Sequence, residues 1–188
     1  MTTPDMTTTN THPYQRGMFY ESMPIPMVRE RCVEVDAGPI TFLVEARQLT
    51  NDILNDHLSD APVDLSHVEF DDYGGTVHVC STSDKLEYLR FDCFENEPHY
   101  HYIMHSIGGN LICRIDEVAE GSPVEWTLAR LRNRLAPMLE LAGADQLAQA
   151  VEVDPDQVTS AVDAVAELLQ RAQDQALRRR QATLPATA

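Results

Sequence analysis

Two histidines one residue apart, in His99-Tyr100-His101, carry the sharpest chemistry in this 188-residue chain. Alternate side chains of a strand leave the same face, so a His-x-His pair offers both imidazoles to one ligand. The neighbouring segments alternate in the same way. They place His67, His78, His99, His101 and His105 on one predicted sheet face, with Glu69, Asp71, Arg90, Asp92, Arg114 and Asp116 beside them. Short turns at Gly74-Gly75, 83–85, Asn96-Glu97 and Gly108-Gly109 set Tyr73, Thr76, Asp92, His101 and Asp116 in one cross-strand row, where opposed Cβ atoms lie about 5 Å apart. Asp92, His99, His101 and Asp116 are therefore the candidate metal ligands. Two imidazoles with one or two carboxylates suit a divalent transition metal and leave positions open for water or substrate. Without a metal, the same groups suit acid–base chemistry around an imidazolium. Alternating charge is also the ordinary surface of a solvated antiparallel sheet.

The run from His99 to His105 resembles the first metal motif of the cupins in carrying His-x-His on a strand. It departs from that motif where His105 stands in place of a Glu, and no second motif with a later His follows. Other constellations are weaker. Cys80 shares a predicted row with Glu69, Tyr88 and His105, but the strand of Tyr88 separates the thiol from the imidazole, and a Cys/His nucleophile needs the two in hydrogen-bond reach. Neither Gly-Gly pair opens a helix, so neither reads as a phosphate loop. No cofactor-binding motif is present, and Trp126 reads as a docking anchor.

The elements that must position these residues form an α+β pattern. Val28–Asp36 and Ile40–Glu45 flank Ala37-Gly38-Pro39 and predict a hairpin. Leu49, Ile53, Leu54 and Leu58 recur at helical spacing over 48–58, ahead of the breakers Ser59 to Pro62. Five alternating segments follow, at 67–73, 76–82, 86–95, 98–106 and 110–117, and short turns make them an antiparallel meander. The apolar face then comprises Val68, Phe70, Val77, Val79, Leu89, Phe91, Tyr100, Tyr102, Met104, Leu111 and Ile115. Ser122-Pro123-Val124-Glu125 is a capping box with proline at the first helical position. Pro137 is expected to kink the helix it opens, and Gly143 to end it. Asp154-Pro155 starts a second helix over 155–177, with an apolar stripe from Val158 to Ala176. Both C-terminal helices are expected to cover the apolar sheet face. The order of elements resembles the helix-grip arrangement of small ligand-binding domains. Residues 1–20 and 178–188 read as flexible polar tails around a single domain at 24–177, with its sheet at 27–117 and its helices at 122–177.

Composition bounds the partners. Thirty acidic against 14 basic residues give a formal charge of −16, which repels phosphate backbones and anionic lipid. Nucleic acid and membranes are not expected partners. No basic, apolar leader opens the chain, and its four cysteines are scattered, which fits reduced thiols in the cytoplasm. Two functional readings follow. One is a small acidic cytoplasmic binding or accessory protein, contacting a protein partner or a second copy of itself through the helix at 155–177 and using its polar sheet face. The other is a metal-dependent enzyme or metal-binding protein with a His/Asp site on that face. A small-molecule ligand is compatible with either.

Overall fold

The computed structural model describes residues 17–57 and 70–183; His67, Val68 and Glu69, and the ends of both expected tails, lie outside them. The class is α+β, built on one seven-stranded antiparallel sheet. Its strands are β1 (Gly17–Tyr20), β2 (Val33–Ala37), β3 (Ile40–Thr50), β4 (Asp71–Ser81), β5 (Glu87–Phe94), β6 (His99–Met104) and β7 (Gly109–Arg114). They lie in the order β1-β7-β6-β5-β4-β3-β2. The described helices are α1 (Asn51–His57), α2 (Glu117–Glu120), α3 (Pro123–Asn133), α4 (Leu135–Leu141), α5 (Asp145–Val151) and α6 (Pro155–Thr183). None is long and apolar enough to cross a membrane. Residues 17–20 of the expected N-terminal tail are thus β1, and residues 178–183 of the C-terminal one complete α6.

The β2–β3 hairpin forms around Gly38-Pro39, with Ala37 opposite Ile40. β3 runs on through Gln48 to Thr50, so the helix expected from 48 begins only at Asn51. The largest departure is at Gly74-Gly75, which is not a turn. Both glycines lie inside the continuous strand β4, whose neighbours are β3 and β5. A Cβ on Gly74 would strike the Cys93 carbonyl of β5. A Cβ on Gly75 would sit 2.8 Å from Leu169 Cδ1 and 3.0 Å from the Leu169 carbonyl oxygen. The pair marks close approach of backbones, the other common reason for glycine in a strand. Through a straight strand, Asp72, Thr76 and His78 share one face, whereas Asp71 and Tyr73 belong to the other.

The remaining registers keep the expected faces but slide along the strands. His78 opposes Arg90, and Val77 opposes Phe91, as the loop at 83–85 predicts. Asp92 opposes His99 and Arg90 opposes His101, two residues from the expected pairing, because the turn is centred between Glu95 and Asn96, one residue earlier than an Asn96-Glu97 loop. His101 opposes Ile112, not Asp116, because β6 ends at Met104 and the turn occupies 105–108.

α6 lies across the apolar face against β3, β4 and β2. Val158, Ala161, Val162, Val165, Leu169, Ala172 and Ala176 pack there with Phe42, Val44, Val77, Val79, Leu89 and Phe91. The stripe that the sequence leaves open between its own sheet and a partner packs on its own sheet. α3 and α4 extend this cover over β5. Their break falls at Arg134 rather than Pro137, which sits in the first turn of α4, where its missing N–H costs nothing.

Because α6 crosses directly over Gly75, a methyl group there must push the helix backbone away. Gly75→Ala is expected to lower unfolding stability by about 2 kcal/mol, as overpacking of a filled core does. Urea denaturation monitored by circular dichroism would measure it, with the loss accompanied by an unchanged m-value.

Candidate metal centre

The opposite sheet face is not a wet surface. Glu45, Thr76, His78, Arg90, Asp92, His101 and Asn110 are all buried on it. The cover includes the segment joining β1 to β2, residues 21–32, here called the strap. Its backbone carbonyls act as acceptors: Asn110 Nδ2 donates to Ser22 O at 2.6 Å, and Arg47 and Arg90 both donate to Ile25 O, at 2.9 and 2.8 Å. Burying this polar layer is tolerable because each group finds a partner. No buried side-chain polar atom among the described residues lacks one.

Asp92 sits in mid-β5, with Thr76 and His99 as its cross-strand neighbours. Its Oδ1 accepts the Thr76 hydroxyl at 2.6 Å. Its Oδ2 faces His101 Nε2 at 3.2 Å and His99 Nε2 at 3.4 Å. The other nitrogen of each ring is committed. His99 Nδ1 lies 2.7 Å from the Glu97 carbonyl oxygen, which only accepts, so Nδ1 carries the proton. His101 Nδ1 lies 2.9 Å from Asn110 Oδ1. The Asn110 amide is oriented by its donation to Ser22 O, so its oxygen faces His101 and that Nδ1 also donates. With Nδ1 of each ring bonded elsewhere, both Nε2 atoms face the same carboxylate oxygen.

A proton or a metal cation must lie between each Nε2 and the carboxylate oxygen, because bare lone pairs there would repel. Burial pushes the His101 imidazolium below its ordinary range, and Asp92 restores it only in part. Burial alone would raise the Asp92 carboxyl, but the His101 hydrogen bond and the His99, Arg47 and Arg90 charges hold it well below the usual carboxylate range. An ionised carboxylate with two imidazole Nε2 atoms turned to one of its oxygens is a donor set that a divalent metal takes up by displacing any proton shared there. The Nδ1–H bonds to a carbonyl and an amide oxygen, with Thr76 on the carboxylate, are the outer contacts that orient metal ligands.

Of the four residues expected to ligate, the structure brings three together. Asp116 is the exception. It lies beyond β7 as the exposed N-cap of α2, accepting from the Val118 and Ala119 amides. Arg114, on the same face by register, pairs at the surface with Glu97. His105 lies in the turn after β6 against the Glu87 carbonyl oxygen.

A second cluster escapes the sequence reading. His78 Nδ1 lies 2.6 Å from Glu87 Oε1 and its Nε2 lies 3.1 Å from Glu45 Oε1. Arg90 grips both oxygens of Glu87, through Nε at 2.8 Å and Nη2 at 2.7 Å. Cys32, at the end of the strap, completes the group. Glu45 would have been found as a neighbour of Thr76 and His78 had β3, rather than residues 67–73, been paired with β4. Cys80, by contrast, is buried with its thiol pushed up to about 12 by burial and the Glu87 charge, which removes it as a nucleophile.

Burial alone would raise the Glu87 carboxyl, but Arg90 and His78 more than offset this and hold it well below its ordinary 4.5. A depressed carboxylate stabilises the fold fully above the unfolded value and loses that contribution as pH falls through the folded one. Glu87→Gln is expected to cost about 3 kcal/mol at neutral pH, by leaving Arg90 buried and underpaired. The gap from the parent should narrow below about pH 4.5. Urea unfolding across that range would check both.

Comparison with known proteins adds a family and no function. No curated protein matches the chain, and no solved structure does. Residues 34–169, running from β2 to the middle of α6, match a family described as a domain of unknown function, DUF7700. The chain belongs to the DUF7700 family.

Proposed function

We propose that this protein is a metal-dependent enzyme or metal-binding protein whose centre is Asp92, His99 and His101. The observation that carries the reading is the convergence of two imidazole Nε2 atoms on Asp92 Oδ2, with Nδ1 of each ring and Oδ1 of the carboxylate already bonded elsewhere. Three protein ligands leave coordination positions for water or substrate, which is the arrangement of catalytic rather than purely structural sites. The nitrogen and oxygen donor set suits divalent zinc, cobalt, nickel or iron. A metal there would acidify a bound water, while Thr76, Glu97 and Asn110 hold the three ligands in orientation. His99 is the most open of the three, with 15% of its side chain accessible, so a small ligand would approach from its side.

The accessory-protein reading rests on the acidic surface and on the C-terminal helices. Its principal apolar stripe, on α6, is already engaged with β3 and β4.

Elemental analysis of untagged protein after exhaustive dialysis tests the proposal. Near-stoichiometric zinc, cobalt, nickel or iron, or their tight uptake in calorimetric titration, is the expected result. His101→Gln is expected to abolish retention at this centre with the fold intact by circular dichroism. Asp116→Ala is expected to leave uptake unchanged while costing about 1 kcal/mol as a lost helix cap. Failure of every one of these metals to bind or to raise the thermal midpoint would sink the reading.

A further inference from the structure

The strap and the sheet meet at a group with a different donor set. Cys32 closes the 3-10 turn Arg29–Arg31, and its backbone N–H returns to the Arg29 carbonyl. That turn holds the thiol above the sheet, where Sγ makes a long 3.5 Å contact to Val28 O. Below it, Glu45 on β3 and His78 on β4 present Oε1 and Nε2 at 3.1 Å from one another. The three ligand atoms all lie within 4.8 Å of one another. A small movement of the Cys32 side chain, which is only partly buried, brings them to metal-bonding separation.

The surroundings are those of a ligand set. His78 directs Nδ1 at Glu87, the carboxylate–histidine arrangement that fixes a ring with its other nitrogen turned to a metal. Arg90 in turn clamps Glu87 through two parallel bonds. Burial, aided by the Glu45 charge, pushes the Cys32 thiol up to about 12, so without a metal the sulfur stays protonated. A bound cation displaces that proton to solvent and takes the thiolate as ligand.

We propose that Cys32, Glu45 and His78 form a second divalent-cation site, of zinc class, that fastens the strap to the sheet. Thiolate, imidazole and carboxylate together select a borderline-soft ion over magnesium or calcium. The site shares no ligand with Asp92, His99 and His101, and it stands or falls separately. Its sulfur donor also gives it a signature the other centre lacks.

Cobalt(II) titration of the full chain under reducing conditions reads both sites. The expected result is two equivalents of cobalt, one of them raising a thiolate-to-cobalt charge-transfer band in the near ultraviolet. Cys32→Ala is expected to remove that band and one equivalent while leaving the other. His99→Ala is expected to do the reverse. Because Cys32 is partly accessible and lies outside the apolar core, its replacement leaves the fold in place. Absence of a thiolate band in the parent protein would overturn the proposal, as would a band that survives in Cys32→Ala. A band with one equivalent only, unaffected by His99→Ala, would support this site and count against the Asp92 centre.

Discussion

Arg90 is a cation with almost no water, 2% exposed in the middle of the sheet, and much of the polar interior is arranged around its demands. A buried guanidinium has five N–H donors and a charge to match, and leaving it unmatched costs several kcal/mol. Glu87 supplies the charge, the Ile25 carbonyl takes a further donor, and Asp92 and Glu45 reinforce the field. The strap is therefore held at Ile25 by an electrostatic need of the sheet beneath it, rather than by apolar packing alone. Arg47 makes the same demand on the same carbonyl oxygen.

The sheet accordingly works as a middle layer with two unlike interiors. β5 shows it best: Leu89, Phe91 and Cys93 enter the apolar core under the C-terminal helices, while Arg90 and Asp92 enter the polar layer under the strap. A one-residue slip would bury charges under the helices and strand apolar groups among carboxylates, so parity is enforced from both sides. Register along the strand is a softer matter, because a two-residue slide keeps every face.

That distinction explains what was legible in the sequence. Periodicity reports faces, and the faces of β5 and β6 follow it: Asp92, His99 and His101 share a side, and Leu89, Phe91 and Tyr100 share the other. Which residues stand opposite one another depends on where each turn is centred, and both turns lie earlier in the chain than the Asn96-Glu97 and Gly108-Gly109 pairs suggest. Asp116 was consequently drawn into a row that β7 does not reach. Gly74-Gly75 misleads for a related reason, since glycine marks both tight turns and close backbone approach. Only the position of α6, distant in sequence, decides between them. Nothing in local pattern reveals that residues 21–32 fold over the polar face, because that contact is made largely by backbone carbonyls, which carry no residue signature.

The strap also joins the two opposite edges of the sheet. β1 and β2 are the terminal strands of the order, so the chain between Tyr20 and Val33 must traverse the full width of the sheet. Strands spaced about 4.8 Å apart make that width on the order of 29 Å. A dozen residues fully extended reach roughly 40 Å, and the 3-10 turn at Arg29–Arg31 takes up part of the difference. The segment is a belt longer than the span it crosses, buckled at both ends to edge strands. With both ends still paired its middle could rise by roughly 10 Å, so the strap's hold on the polar layer lies in its bonds to Arg47, Arg90 and Asn110 rather than in its length. Uncovering that layer therefore strips acceptors from two buried guanidinium groups, which ties access to the interior to the charge balance beneath the belt.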